Sequence, residues 1–186
     1  MTKHFQSDPA HGVAHERHDA IEMLIADHKA VKKMFGHFAE LQDDGNATEE
    51  KSTLVKQICA ALDVHIHLEE EIFYPAVRRA IDDGSLMDKA LVEQAGAKAL
   101  VAQLEAMQVG DDLFDAKVMV LAEQIDHHAN EEESEMFPQA KKAKVDTLAL
   151  GAAMAIRRAQ LVAAPRHTPS PKGKFRLGDG ASMPIR

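Results

Sequence analysis

The chain has 186 residues and a formal net charge of −8, with 30 Asp and Glu against 22 Lys and Arg. That balance speaks against duplex nucleic acid and against an anionic membrane surface as partners. The length allows one domain with a sizeable core, and a single cysteine, Cys59, excludes an intrachain disulfide framework.

No run approaches ~18 uninterrupted apolar residues, so no transmembrane span is expected. The opening segment lacks an apolar stretch of secretory type, and a lone thiol fits a reducing cytosol. A cytoplasmic location is therefore expected. Residues 1–18 carry His4, His11, His15 and His18 and are expected to be mobile.

The first helix is predicted from Asp19, where Asp19-x-x-Glu22 has the form of a capping box. Ile21, Leu24, Ile25, Val31, Phe35 and Phe38 keep a helical period, and Gly45 supplies a plausible stop. The second begins near Thr48, with Glu49 and Glu50 suited to the positive end of its dipole. Leu54, Ile58, Leu62, Ile72 and Ala76 mark its buried side. Pro75 should kink it or begin its last turns. A third helix runs from about Ser85 or Asp88 to Met107, with Leu91, Val101 and Leu104 on one face. A fourth carries Val118, Leu121 and Ile125 toward His128 and continues to about Lys144. Short links between long helices predict an all-α, up-down-up-down four-helix bundle over 19–146, built from a duplicated helical hairpin. Residues 147–164 are expected to add a further helix. From Pro165 the composition turns to Pro, Gly, Ser and basic residues, which predicts a disordered tail over 165–186.

The duplication carries the chemistry. Residues 65–75 read HIHLEEEIFYP and residues 128–138 read HANEEESEMFP. His65, Glu69 and Pro75 thus match His128, Glu132 and Pro138 at a constant offset. A spacing of four places His and Glu on one helix face, a turn apart. In each copy that face continues an apolar stripe, and His28 lies in the stripe of the first helix. A carboxylate inside an apolar stripe is costly unless a cation or hydrogen bonds satisfy it. Imidazole with carboxylate and without thiolate suits iron, manganese or zinc. His28, His65, Glu69, His128 and Glu132 are the metal-ligand candidates. The alternative, an acidic solvated surface that happens to contain His, does not account for two in-phase copies. His67 should point away, His37 should lie at the surface, and His127 should flank the site. Tyr74 and Cys59 are expected to pack, and the Met residues to fill core rather than bind copper.

These segments, with IEMLIADH at 21–28, LDVHIHLEEEIFYPAV at 62–77 and HHANEEESEMFP at 127–138, resemble the hemerythrin-like HHE cation-binding family over about residues 19–144. The resemblance implies a four-helix bundle holding a non-haem di-iron centre, with His28, His65, Glu69, His128 and Glu132 in the ligand positions. Where the family has a third-helix His, this chain has Gln94, a neutral and weaker ligand. Neighbouring Glu93 could substitute after a small helix rotation. The implied function is reaction with small oxygen or nitrogen species such as O2, H2O2 or NO, with peroxide breakdown in oxidative-stress defence to be tested first. The alternative is a non-enzymatic iron, oxygen or NO sensor, or an iron store, acting through a protein partner. Whether the chain is an enzyme is left open at this point. A phosphotransfer bundle using one exposed His is disfavoured by the duplicated His-x-x-x-Glu.

Overall fold

The first helix starts where its cap places it: Asp19 Oδ1 accepts hydrogen bonds from the backbone N–H of Ile21 at 2.9 Å and of Glu22 at 3.2 Å. The computed structural model describes residues 19–42, 46–82 and 84–164, and these hold helices and no strand. Helix α1 (Ala20–Glu40) buries Ile21, Leu24, His28, Val31, Phe35 and Phe38. Helix α2 (Thr48–Leu68) buries Leu54, Ile58, Leu62 and His65 on one side. It passes through a π-helical turn (Glu69–Phe73) into the short helix α3 (Tyr74–Ala80). Helix α4 (Gly84–Glu105) follows, then α5 (Phe114–Glu131). A second π-helical turn (Glu132–Met136) leads into α6 (Phe137–Lys142), and α7 (Thr147–Ala163) closes the described chain. The expected Gly45 stop, the His-rich segment 1–18 and the tail beyond 164 lie outside the described residues.

α1 packs on α2 and α5, and α4 packs on α5 and α2, which makes the four-helix bundle. α7 lies against α1, α2 and the first π turn. No described helix is long and apolar enough to cross a membrane.

One reading is corrected by the structure. Leu91 does not mark the buried face of α4; it is exposed, and the face is Met87, Ala90, Gln94, Ala97, Val101 and Leu104. Small and polar residues form half of that stripe, so hydrophobicity alone misplaces it. Pro75 begins the last turns, one of the two expected outcomes, at the start of α3, and Pro138 does the same in α6. Each follows a widened turn, in which the N–H of Tyr74 bonds to the Glu69 carbonyl and that of Phe137 to the Glu132 carbonyl. The widened turn sets side-chain direction. In an α-helix, residues five apart lie about 140° apart around the axis. The extra residue in each turn brings Tyr74 back toward the face of Glu69, and Phe137 toward that of Glu132. All four side chains are buried.

The core falls into two apolar clusters. One gathers Ile21, Leu24, Leu68, Phe73, Val77, Met87, Phe137 and Met154. The other gathers Val31, Phe35, Phe38, Ile58, Leu62, Val101, Val118 and Leu121. Between Leu24 and Val31 on α1, and between Leu62 and Leu68 on α2, the polar side chains of the duplicated motif occupy the interior.

Candidate metal centre

Four ligand atoms from three helical segments meet in that interior. His28 Nε2 and His65 Nε2 face each other at 3.2 Å. Glu69 Oε1 lies 3.0 Å from His65 Nε2, and Glu132 Oε2 lies 3.3 Å from His28 Nε2. One atom from each of these four residues falls within 4.8 Å of the other three. Glu69 is 0% exposed and Glu132 1%. Glu69 Oε1 and Glu132 Oε2 accept no aligned hydrogen bond, although both are buried. Buried carboxylate oxygens without donors are costly, and acceptors clearly outnumber the O–H and N–H groups around them. A cation removes that cost.

The outward nitrogen of each imidazole is anchored by a carboxylate. His28 Nδ1 meets Glu133 Oε1 at 2.9 Å, His65 Nδ1 meets Asp27 Oδ2 at 3.3 Å, and His128 Nδ1 meets Glu93 Oε2 at 2.8 Å. Such partners fix Nδ1 as the protonated nitrogen and turn the Nε2 lone pair inward, as metal-ligating histidines require. Asp27 immediately precedes His28 and Glu93 immediately precedes Gln94, so the duplicated hairpin supplies the same anchor twice. Glu93 therefore serves His128 and does not stand in for Gln94.

In the metal-free cluster the groups share protons. Burial opposes charge on His65, but Glu69 and Asp27 outweigh it and push the ring up to about 10. Burial opposes Glu69 as well, and the imidazoles, His65 first, hold its carboxyl below the ordinary range. Burial and the Glu69 charge push Glu132 up. Two adjacent buried carboxylates diverging in this way are a mark of functional sites.

A family model described as the Hemerythrin HHE cation binding domain matches residues 19–140. The chain belongs to the hemerythrin HHE family. A solved hemerythrin HHE cation-binding-domain-containing protein from Mycobacterium kansasii shares the fold, with a TM-score of 0.64 at 23% identity, over 77% of this chain and 86% of that one. A protein of Nostoc sp. named a DNA nickase is 29% identical over 116 residues. The match takes in 62% of this chain and 32% of that protein, so the chain spans about a third of that relative's length. An HHE domain binds metal cations, and the donors of this one fit a metal of the nitrogen- and oxygen-liking class.

The two halves of this HHE domain differ. Phe137 stacks on the His28 ring, with centroids 6.1 Å apart and planes 5° from parallel. At the matching position of the other half stands Tyr74, beside Gln94. The Tyr74 hydroxyl donates to Glu132 Oε1 at 2.7 Å and lies 3.3 Å from Glu69 Oε2 and 3.2 Å from His128 Nε2. Gln94 Nε2 donates to Glu69 Oε2 at 2.5 Å and to the Tyr74 hydroxyl at 3.0 Å, and its Oε1 is buried without a partner. Tyr74 is thus a polar hub and not only a packing residue. Burial, with Glu69 and Glu132, holds its phenol protonated, well above its ordinary value. His128 reaches this hub and stands 3.9 Å from Glu132, outside the compact four-residue group.

Among the described residues, the other histidines fall where expected. His67 bonds the Asp63 carbonyl, and exposed His37 pairs with Glu50. His127 points outward to Glu131 and Glu93. Asp27 and Glu133 were not identified from sequence. The signal for Asp27 was its place beside His28, paralleled by Glu93 beside Gln94.

Above the imidazoles, toward the second apolar cluster, lies a cavity of about 20 Å³. Its wall includes Val31, Leu62, Gln94, Ala97 and Ile125. It has room for about one water-sized molecule.

Proposed function

We propose that the protein is a non-haem iron protein whose buried centre reacts with small oxygen species, peroxide breakdown being the reaction to test first. The observation that carries this reading is the convergence of His28 Nε2, His65 Nε2 and two buried carboxylates, each with one oxygen that accepts no aligned hydrogen bond, each imidazole being braced from outside. His28, His65, Glu69 and Glu132 hold the first metal ion. His128, Gln94 and the Tyr74 hydroxyl, with the other oxygens of the two Glu, outline a weaker second position. Iron bound there supplies redox chemistry toward dioxygen, peroxide or nitric oxide. The protein's part is to exclude larger molecules through the small cavity and to keep a protonated phenol beside the carboxylates. The same cavity size supports a reading without nucleic acid at this centre, despite the nickase relative, because no nucleotide fits it.

The test is peroxide turnover by iron-loaded protein, lost in Glu69→Ala and Glu132→Ala. Tight iron binding without turnover would defeat the enzyme reading and leave a sensor or store. Elemental analysis should give one tightly held ion per chain and a second that a mild chelator removes. Tyr74→Phe should weaken the second and spare the first. Two equally tight ions, unaffected by Tyr74→Phe, would overturn the unequal assignment.

A further inference from the structure

α7 lies beyond residues 19–140, the stretch matched by the family model. Its docking face carries adjacent arginines that reach different parts of the domain. Arg157 grips Glu71 of the first π turn through Nε at 2.6 Å and an amino nitrogen at 2.9 Å. Arg158 grips Asp27 of α1, with its two amino nitrogens at 2.8 Å and 2.6 Å from the two carboxylate oxygens. The Arg157 pair stands at the surface and ends there, since Glu71 is exposed. The Arg158 pair leads inward, because Asp27 Oδ2 also takes His65 Nδ1.

We propose that Arg158 is a positioning residue for the metal centre, acting through Asp27 on the orientation of the His65 ring. The proposal rests on the metal-centre reading above and adds α7 to it. A planar guanidinium bound to both oxygens of a carboxylate fixes its plane as well as its position. With Asp27 fixed, the His65 ring has one favoured rotation about its outward bond, and its Nε2 points at Glu69 and His28. The other half of the site lacks this brace: the Glu93 that anchors His128 is met by Lys89 at 3.7 Å and His127 at 3.8 Å, both looser contacts. The brace therefore falls on the hairpin that supplies three of the four residues of the compact group, His28, His65 and Glu69.

The experiment is a cobalt(II) titration of the full-length metal-free protein, reading affinity by chelator competition and coordination by the visible ligand-field bands. Glu132→Ala identifies which binding belongs to the buried site. Arg158→Gln should weaken cobalt binding at that site about 10-fold, the usual lower bound for losing an outer partner of a ligand, and should shift the bands. Arg158→Lys keeps the charge but loses the two-point grip, so it should recover part of the affinity while the bands stay shifted. Arg157→Gln removes an equivalent grip of α7 on the domain and controls for docking and folding. It should leave affinity within about twofold of wild type, with unshifted bands, on the same outer-partner scale. Equal effects of Arg157→Gln and Arg158→Gln would show loss of α7 docking and overturn the relay. So would wild-type affinity and bands in Arg158→Gln, while leaving the metal centre intact. A wild-type protein with no cobalt site sensitive to Glu132→Ala would sink the metal-centre reading and the relay together.

Discussion

Glu132 shows how the centre trades stability for function. Burial and the charge of Glu69 push its carboxyl up in the absence of metal, so its charge carries a penalty there that a neutral amide escapes. Glu132→Gln should therefore shift the metal-free thermal midpoint only slightly, by no more than about 1 kcal/mol equivalent, the cost of a modest hydrogen-bond change. It should nevertheless lower metal affinity at least tenfold; a variant that binds metal like wild type would remove Glu132 from the ligand set. His65 gives the pH dependence. Its pKa rises from an ordinary 6.5 to about 10 in the fold, so the charged ring contributes fully below 6.5 and its contribution is lost as pH climbs through about 10. Metal must displace that proton, so affinity should change in the opposite sense and rise with pH. Thermal unfolding of chelated protein between pH 6.5 and 10 should show a falling midpoint, and metal titrations over the same range a tightening. A rising metal-free midpoint would contradict this account of His65.

The two π turns are the elements that make the sequence motif work. His-x-x-x-Glu was legible because four residues make a helical turn, and this placed His65, Glu69, His128 and Glu132 inward without further information. Tyr74 was misjudged because ordinary helical spacing turns a residue five positions on well away from Glu69, and nothing in the spacing announces a wider turn. The clue was the proline that follows each motif. In the tight register the ring of Pro75 or Pro138 clashes with the carbonyl four residues back, and a wider turn relieves that clash. Pro75→Ala removes that clash and should favour the α register, rotating Tyr74 out of the site. The expected outcome is a loss of the second metal position, as in Tyr74→Phe, with secondary structure retained by circular dichroism. Unchanged metal stoichiometry and affinity in Pro75→Ala would mean that packing, not proline, holds the turn. The buried face of α4 escaped for another reason: Ala90, Gln94 and Ala97 are small or polar, and a search for large apolar residues at helical spacing passes over them.

On the scale of the molecule, the site is a charged waist between two apolar clusters, and each cluster must be coupled to the other across it. The clusters contribute the burial that drives folding. The waist opposes them as long as carboxylates and imidazoles must share too few protons. α7 adds to this by tying α1 to the first π turn from outside, through Arg158 and Arg157. A cation in the waist should convert the weakest layer of the bundle into a crosslink joining α1, α2 and the π turn after α5. Binding to the native state alone stabilises by about 2.7 kcal/mol when free metal is a hundredfold above its dissociation constant. For a domain of this size each kcal/mol raises the melting point by roughly 2–4 °C, so saturation should raise it by roughly 5–11 °C on that scale. Scanning calorimetry with and without metal tests this. In wild type the transition should move as one, because both clusters are joined through the waist. In Glu69→Ala it should not move with metal. A wild-type melt that stayed put on saturation would mean that metal binds the unfolded chain as well, or binds away from the waist, and the buried cluster would lose its claim to be the site that holds the cation.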